Sequence, residues 1–194
     1  MKKSTILAAL ALAAVALSGN AEVATRQLHD GWRFRQQRSD NWFPATVPGT
    51  VHTDLMANDL IEDPFYRLNE RTVQWVDKED WWYETTFTAT PDEVDAENQE
   101  LVFLGLDTYA KIYLNHQLID YTNNMHRTWR YNVKGILKEG ENLLEVQFDS
   151  PIKVDLPKYD QFDYTFNTGP DQSQNGGISV SYTHLRAHET GRNL

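Results

Sequence analysis

There is no cysteine anywhere in the 194 residues. Disulfides, thiolate nucleophiles and cysteine-built metal sites are excluded, and so is a lipid anchor carried on a cysteine. Positive charge is also scarce. Eighteen Lys and Arg face 28 Asp and Glu, a formal net charge of −10. That balance is poorly suited to nucleic acid or to an anionic membrane surface. Gly-x-Ser-x-Gly and the glycine-rich phosphate loop are missing. No long helical patterns alternate with strands, which argues against an α/β fold. Long apolar runs are missing too, except at the N-terminus. There Lys2 and Lys3 precede the apolar stretch 6–17 and the small residues Gly19-Asn20-Ala21. This is the layout of a secretory signal peptide, and about a dozen apolar residues are too few to span a bilayer. Residues 1–21 are therefore expected to be cleaved. The chain would then be secreted or periplasmic, with no membrane association.

Aromatic residues are plentiful at 12%. They suit a β-rich core lined with Trp and Tyr, or platforms for sugar rings. Trp32, Phe34 and Gln36 alternate with Arg33, Arg35 and Gln37, which predicts a strand. "NWFPATVPGT" is broken by Pro44, Pro48 and Gly49 and reads as turn and loop. Thr50 can cap a short helix from Val51, with Asp54 near its positive end and Asn58 as the stop. Leu55, Leu60 and Ile61 would supply its apolar contacts.

From Trp81 the period becomes two. Trp81, Tyr83, Thr85, Phe87 and Ala89 share one face; Trp82, Glu84, Thr86 and Thr88 share the other. "PDEVDAENQE" reads as an acidic loop, and "LVFLGL" as a strand covered on both sides. "TYAKIYLNHQLIDY" reads as a hairpin with Asn115-His116 at its turn. Asn-Gly is the usual pair there, so a strained or widened turn is expected. A strand from Trp129, a helical turn near residues 135–138 and a strand carrying Leu144, Val146 and Phe148 follow, closed by Pro151. Short strands with turn signals between them predict an all-β sandwich over 22–155. Residues 156–180 form a polar linker. No internal repeat is visible.

Four stretches, "VPGTVHTDLMANDLIEDPFYRLNE", "QWVDKEDWWYETTF", "LVFLGLDTYAKIYLNHQLI" and "GENLLEVQFDSP", resemble in order the N-terminal domain of β-mannosidases of glycoside hydrolase family 2. The resemblance implies a jelly-roll β-sandwich of the galactose-binding type, with one or two short helices. It also implies that catalysis lies elsewhere. In that family an immunoglobulin-like domain and a (β/α)8 barrel follow, and the barrel carries the two catalytic glutamates. A barrel alone needs about 200 residues, more than remain here. The family's Trp-Asp-Trp-Gly motif is absent as well. In its place stands "ISVSYTHLRAHETGRNL", which departs from the family near Ser181. Residues 181–194 resemble a foreign tail on a truncated frame, with a divergent native end as the alternative.

The resemblance implies no catalytic residue in this chain and no cofactor or metal. Asn69-Glu70 has the letters of the family's catalytic Asn-Glu but lies in the entry segment of the sandwich. A surface carboxylate paired with Arg67 or Arg71 is the plainer reading. His184 and His188 are four apart, yet Leu185 stands where a zinc protease has Glu. His29, His52, His116 and His126 show no ligand spacing. The candidates for the substrate rim or a domain interface are Asp63, Phe65, Tyr66, Arg67, Asn69, Trp75 and Trp129. Pro64 is expected to send the chain extended, with Phe65 and Tyr66 on opposite sides, one of them packed into the sandwich. Arg67 would pair with Asp63 or reach across an interface. Trp75 and Trp129 read as core or interface, with a sugar platform as the alternative. The whole enzyme would hydrolyse terminal β-mannose in oligosaccharides, its partner being an oligosaccharide bound with the missing barrel. A free-standing carbohydrate-binding module, or the same domain of a β-galactosidase or β-glucuronidase, remain open.

Overall fold

A computed structural model describes residues 23–155 and 185–190. The expected signal peptide, the linker 156–180, and all of the tail except 185–190 lie outside the described residues.

Two antiparallel sheets face each other. The larger has six strands in the order β3-β2-β4-β9-β6-β7. These are β2 (Arg33–Gln36), β3 (Phe43–Pro44), β4 (Trp81–Ala89), β6 (Tyr109–Leu114), β7 (Gln117–Asn123) and β9 (Gly140–Asp149). The smaller has the order β1-β10-β5-β8. It is built from β1 (Val23–Gln27), β5 (Asn98–Phe103), β8 (Trp129–Asn132) and β10 (Leu185–Thr190). The expected all-β sandwich is thus present.

The period-two reading holds through β4 and β9, which pair from Trp81↔Phe148 to Ala89↔Gly140. Trp81 and Tyr83 are buried, as are Leu144, Val146 and Phe148 opposite them. Ala110, Ile112 and Leu114 extend this inner face across β6. Leu101, Phe103 and Trp129 meet it from the smaller sheet. Phe34 sits at the centre, stacked on Tyr83 at 5.6 Å and tilted against Trp81 at 5.9 Å. Each such fully buried aromatic stabilises the fold by about 1.5–3 kcal/mol relative to exposure.

Several local expectations change. "PDEVDAENQE" is not a loop throughout. Thr90 caps a helical turn, α2 (Pro91–Asp95), through a reciprocal bond with Glu93, and β5 then begins at Asn98. Thr-Pro-x-Glu carries both signals, a capping box and Pro at the first helical position. The Asn115-His116 turn is not widened. Both residues take positive φ, 53° and 64°, in a two-residue turn. The Asn115 side chain donates to Ile136 O and Asn142 Oδ1 and accepts from Leu143 N, which holds this left-handed geometry in place. The register irregularity falls next door, between Ile112 and Tyr113. Finally, Leu185–Thr190 forms β10, and β1 joins its sheet through it.

Helix α1 (Val51–Ala57) is capped as expected. Thr50 and Thr53 satisfy each other's backbone N–H, and Asn58 closes the last turn. Gly49 is required just before it, because a Cβ there would collide with the Thr46 carbonyl oxygen. Asp54 does more than face the helix dipole. Its carboxylate is buried and accepts from Thr46 N and from Tyr83 Oη of β4, each at 2.9 Å. Burial pushes this carboxyl above its ordinary value of 3.8 despite those two bonds, and pushes the Tyr83 phenol well above its own. Asn58 extends the link by donating to Pro44 O and Asp54 O. Together they tie α1 to β4 and to the strand-loop segment before it.

This link predicts a stability pattern. Asp54→Ala leaves the buried Tyr83 hydroxyl and the part-buried Thr46 N–H without this acceptor and should lower unfolding free energy by about 1–3 kcal/mol. Asp54→Asn can keep both contacts, so it should cost little at pH 7. The folded pKa is raised, so the native state holds its proton to higher pH than the unfolded chain. Stability from protonated Asp54 is full below 3.8 and is lost as pH rises through the folded value. Wild type should therefore gain on Asp54→Asn as pH falls from 7 towards 4. Urea midpoints across that range read this directly, and a gap that widens the other way would contradict it. Separately, Thr50→Ala should cost about 1 kcal/mol by the same assay.

Candidate functional site

The segment after α1 is built from consecutive turns. Asp59 takes positive φ and turns the chain out of the helix. Asp63 then organises the next stretch: its Oδ1 accepts from Phe65 N at 2.9 Å, and its carbonyl accepts from Tyr66 N and from Asn69 Nδ2. Pro64 occupies the second position of that turn, which its fixed φ favours. Pro64 therefore does not send the chain extended. An aspartate before proline closes an Asx turn on itself, and the chain coils onward into a short 3-10 turn, Asn69–Arg71.

This coiling settles where the rings go. Phe65 and Tyr66 do not divide between core and surface; they are 87% and 56% exposed. Leu68, which the sequence reading passed over, is 59% exposed. Three large apolar side chains thus stand out from one tight turn. Arg67 adopts positive φ and lays its guanidinium over the Tyr66 ring, 4.9 Å from the centroid, rather than against Asp63. Leu60, expected as a helix contact, is exposed as well, while Ile61 does pack on the core.

Beside the ridge runs an open groove of about 830 Å³. Met56, Leu60 and Ile61 give it an apolar wall, and Asp59, Glu62, Asp63, Tyr66 and Asn69 give it a polar one. The buried Asp54 link anchors the helix that supplies Met56. Asp63, Phe65, Tyr66, Arg67 and Asn69 are therefore brought together as one unit. Met56, Asp59 and Glu62 complete the groove, and only their nearness to the Asp-Pro turn could have signalled them.

The two tryptophans stand apart from it. Trp75 is partly exposed and leans on the core ring of Trp81 at 5.9 Å. Trp129 is core: it is buried, donates to Asn124 O and stacks on Tyr131 at an interplanar angle of 7°. Arg127 covers its ring at 4.5 Å.

Glu70 lies half-buried on the 3-10 turn Asn69–Arg71, where its backbone carbonyl accepts from Gln74 Nε2. Among the described residues no group of three His, Asp or Glu converges as a metal set would require. His184 lies outside the described residues, and only the backbone of His188 is described. Among the described residues, no helix is long and apolar enough to cross a membrane.

Comparison with known proteins gives a consistent answer. β-Mannosidase of Rattus norvegicus is 34% identical over 126 residues, 65% of this chain and 14% of that protein. β-Mannosidase B of Emericella nidulans is 40% identical over 127 residues, 63% of this chain and 15% of that protein. The crystal structure of β-D-mannosidase from Dictyoglomus thermophilum superposes with a TM-score of 0.74 at 36% identity, covering 86% of this chain and 22% of that one. The chain thus spans about a seventh of the curated relatives' length. Residues 32–187 match the family described as glycosyl hydrolase 2 galactose-binding domain-like, and the chain belongs to that family.

Proposed function

We propose that this chain is the N-terminal, non-catalytic sandwich of an exported β-mannosidase. The complete enzyme would remove terminal β-linked mannose from oligosaccharides by the retaining, double-displacement route. One observation carries the reading: Phe65, Tyr66 and Leu68 stand exposed on a domain that covers 22% of a related β-D-mannosidase. An apolar ridge of this kind marks a surface made to be covered. The catalytic part of the same polypeptide is the natural cover, with Phe65 and Leu68 seated in it. Asp63, Tyr66 and Asn69 then border the groove on the side where substrate enters. Trp75 flanks the interface, and Trp129 takes no part.

The sequence identity of 34–40% with β-mannosidases favours mannose over galactose or glucuronate. The signal-peptide layout of residues 1–21 supports export. The chain itself supplies no catalysis, because a retaining glycosidase needs two carboxyls about 5–5.5 Å apart across the scissile bond. Asp54 serves as an anchor, Asp63 as a turn former, and Glu84, Glu145 and Asp149 as ion-pair partners.

Two outcomes follow. Purified chain incubated with an aryl β-mannoside should show no turnover. Turnover that disappears in Glu70→Gln would overturn the assignment of Glu70 to a structural turn. The double substitution Phe65→Asp, Leu68→Asp should leave the melting temperature of the isolated chain unchanged, since both side chains are exposed. In the complete enzyme it should lower activity on the same substrate at least tenfold. Full activity there would show that the ridge is not an interdomain contact.

A further inference from the structure

The sandwich has four edge strands, β3 and β7 on the larger sheet and β1 and β8 on the smaller. An edge presents backbone N–H and C=O groups in a row, and a second copy of the chain can pair with them. Three of these edges are short or carry positive charge. β3 is two residues long and one of them is Pro44. β1 and β8 carry Arg26 and Arg130. β7 differs: it runs for seven residues, Gln117–Asn123, without Pro, Lys or Arg, and its one charged residue is Asp120. Among the described residues no strand pairs with its outer side. Leu118 and Tyr121 are 54% and 41% exposed on it.

The register of β7 makes it self-complementary. Tyr113 pairs with Leu118, Ile112 with Asp120 and Lys111 with Tyr121, so Ile119 is an extra residue. Leu118 and Tyr121 therefore share one face of the sheet, three positions apart. An antiparallel copy, related by a two-fold axis normal to the sheet, can set Leu118 against the copy's Tyr121 on both sides of that axis.

Asp120 stands in the way of such pairing. Ala110 N–H reaches Thr122 Oγ1, so the backbone groups of Ala110 and its partner Thr122 point at each other. Those of Tyr121, one residue along, point outward from the edge. Asp120 Oδ1 accepts from this outward Tyr121 N–H at 2.8 Å. A strand arriving at the edge would have to displace that bond and desolvate the carboxylate. Burial first, and then the charge of this carboxylate, push the Tyr131 phenol of β8 above its ordinary value. Asp120 thus sits between the edge strands of the two sheets.

We propose that Asp120 blocks edge-to-edge pairing of two copies of this chain through β7, by occupying the Tyr121 N–H. The exposed Leu118 and Tyr121 give the edge its tendency to associate, and the local bond holds it back. The block is independent of the ridge at Phe65.

Sedimentation velocity over a range of concentrations tests this, with Phe65→Asp, Leu68→Asp as the background so that the ridge cannot associate. The background chain should stay monomeric. Adding Asp120→Val removes the acceptor and keeps a residue suited to a strand. It should tighten self-association at least tenfold with an unchanged circular dichroism spectrum. Asp120→Asn keeps an acceptor oxygen and should stay monomeric. Leu118→Lys added to Asp120→Val should restore the monomer, which aggregation of a misfolded chain would not allow. In the unsubstituted chain, hydrogen exchange read by NMR should show a protected Tyr121 amide, although it faces outward from an edge. A Tyr121 amide that exchanges at the free rate would overturn the proposal, and so would a folded Asp120→Val that remains monomeric. Association of Asp120→Asn as strong as that of Asp120→Val would assign the block to charge and overturn the role of the bond. A background chain already dimeric through β7 would show that no block exists.

Discussion

The antiparallel pairing of β4 with β9 sets the terms for everything around it. Each residue from Trp81 to Ala89 has a partner from Phe148 back to Gly140. Because side chains alternate, a slip of one residue would carry Tyr83 and Val146 to solvent and bring Glu84 and Gln147 into the core. The register is therefore fixed by burial on one side and by ion pairs on the other. From it follow the central aromatic contact of Phe34 with Tyr83 and the reach of the Tyr83 hydroxyl to Asp54. With no disulfide to close the sandwich, this ladder and its packed inner face carry the stability.

Asp54 shows how the ladder governs a surface it does not touch. Tyr83 comes from the middle of β4, and its hydroxyl ends on the carboxylate of α1. That bond positions α1, and α1 gives the groove its Met56 wall. A buried carboxylate between two donors is costly to desolvate and costly to lose, so it specifies one arrangement of helix on sheet. The turn segment that begins at Asp59 is thereby launched from a fixed point. Its own coil, by contrast, rests mainly on local bonds from Asp63 and Asn69.

The sheet was legible in the sequence because its period is two and its turns carry Pro, Gly and Asn. Thr50 and Asn58 were legible as helix ends for the same reason: each satisfies backbone groups within its own few residues. What escaped was of two kinds. Short helical turns such as Pro91–Asp95 have no room for a periodic pattern, so only the Thr90–Glu93 capping pair marks them. The ridge escaped because Asp63-Pro64 has two outcomes, extension or an Asx turn. The choice depends on whether the aspartate side chain finds Phe65 N–H, which no pattern of hydrophobicity encodes. Once it does, Phe65 and Tyr66 both lose their places in the core. Leu185–Thr190 also escaped the sequence pattern: it supplies the ladder bonds between β1 and β5.

The exposed aromatics on this domain differ in kind, and the difference bears on what each can do. Phe65 and Leu68 project from a turn and have large free surfaces with no polar neighbour set against them. Such groups gain most from a dry, shape-matched partner. The rings of the outer sheet face stand on rigid strands, touch one another at 5.8–6.1 Å, and are interleaved with hydrogen-bonding groups already held in place. Those polar groups are already paired within the domain, Arg33 with Glu84, Lys111 with Asp149 and Gln147 with Gln37, so no partner is needed to satisfy them. The physical contrast between a protruding apolar turn and a flat, internally satisfied sheet face is thus the reason to propose a protein partner for the turn.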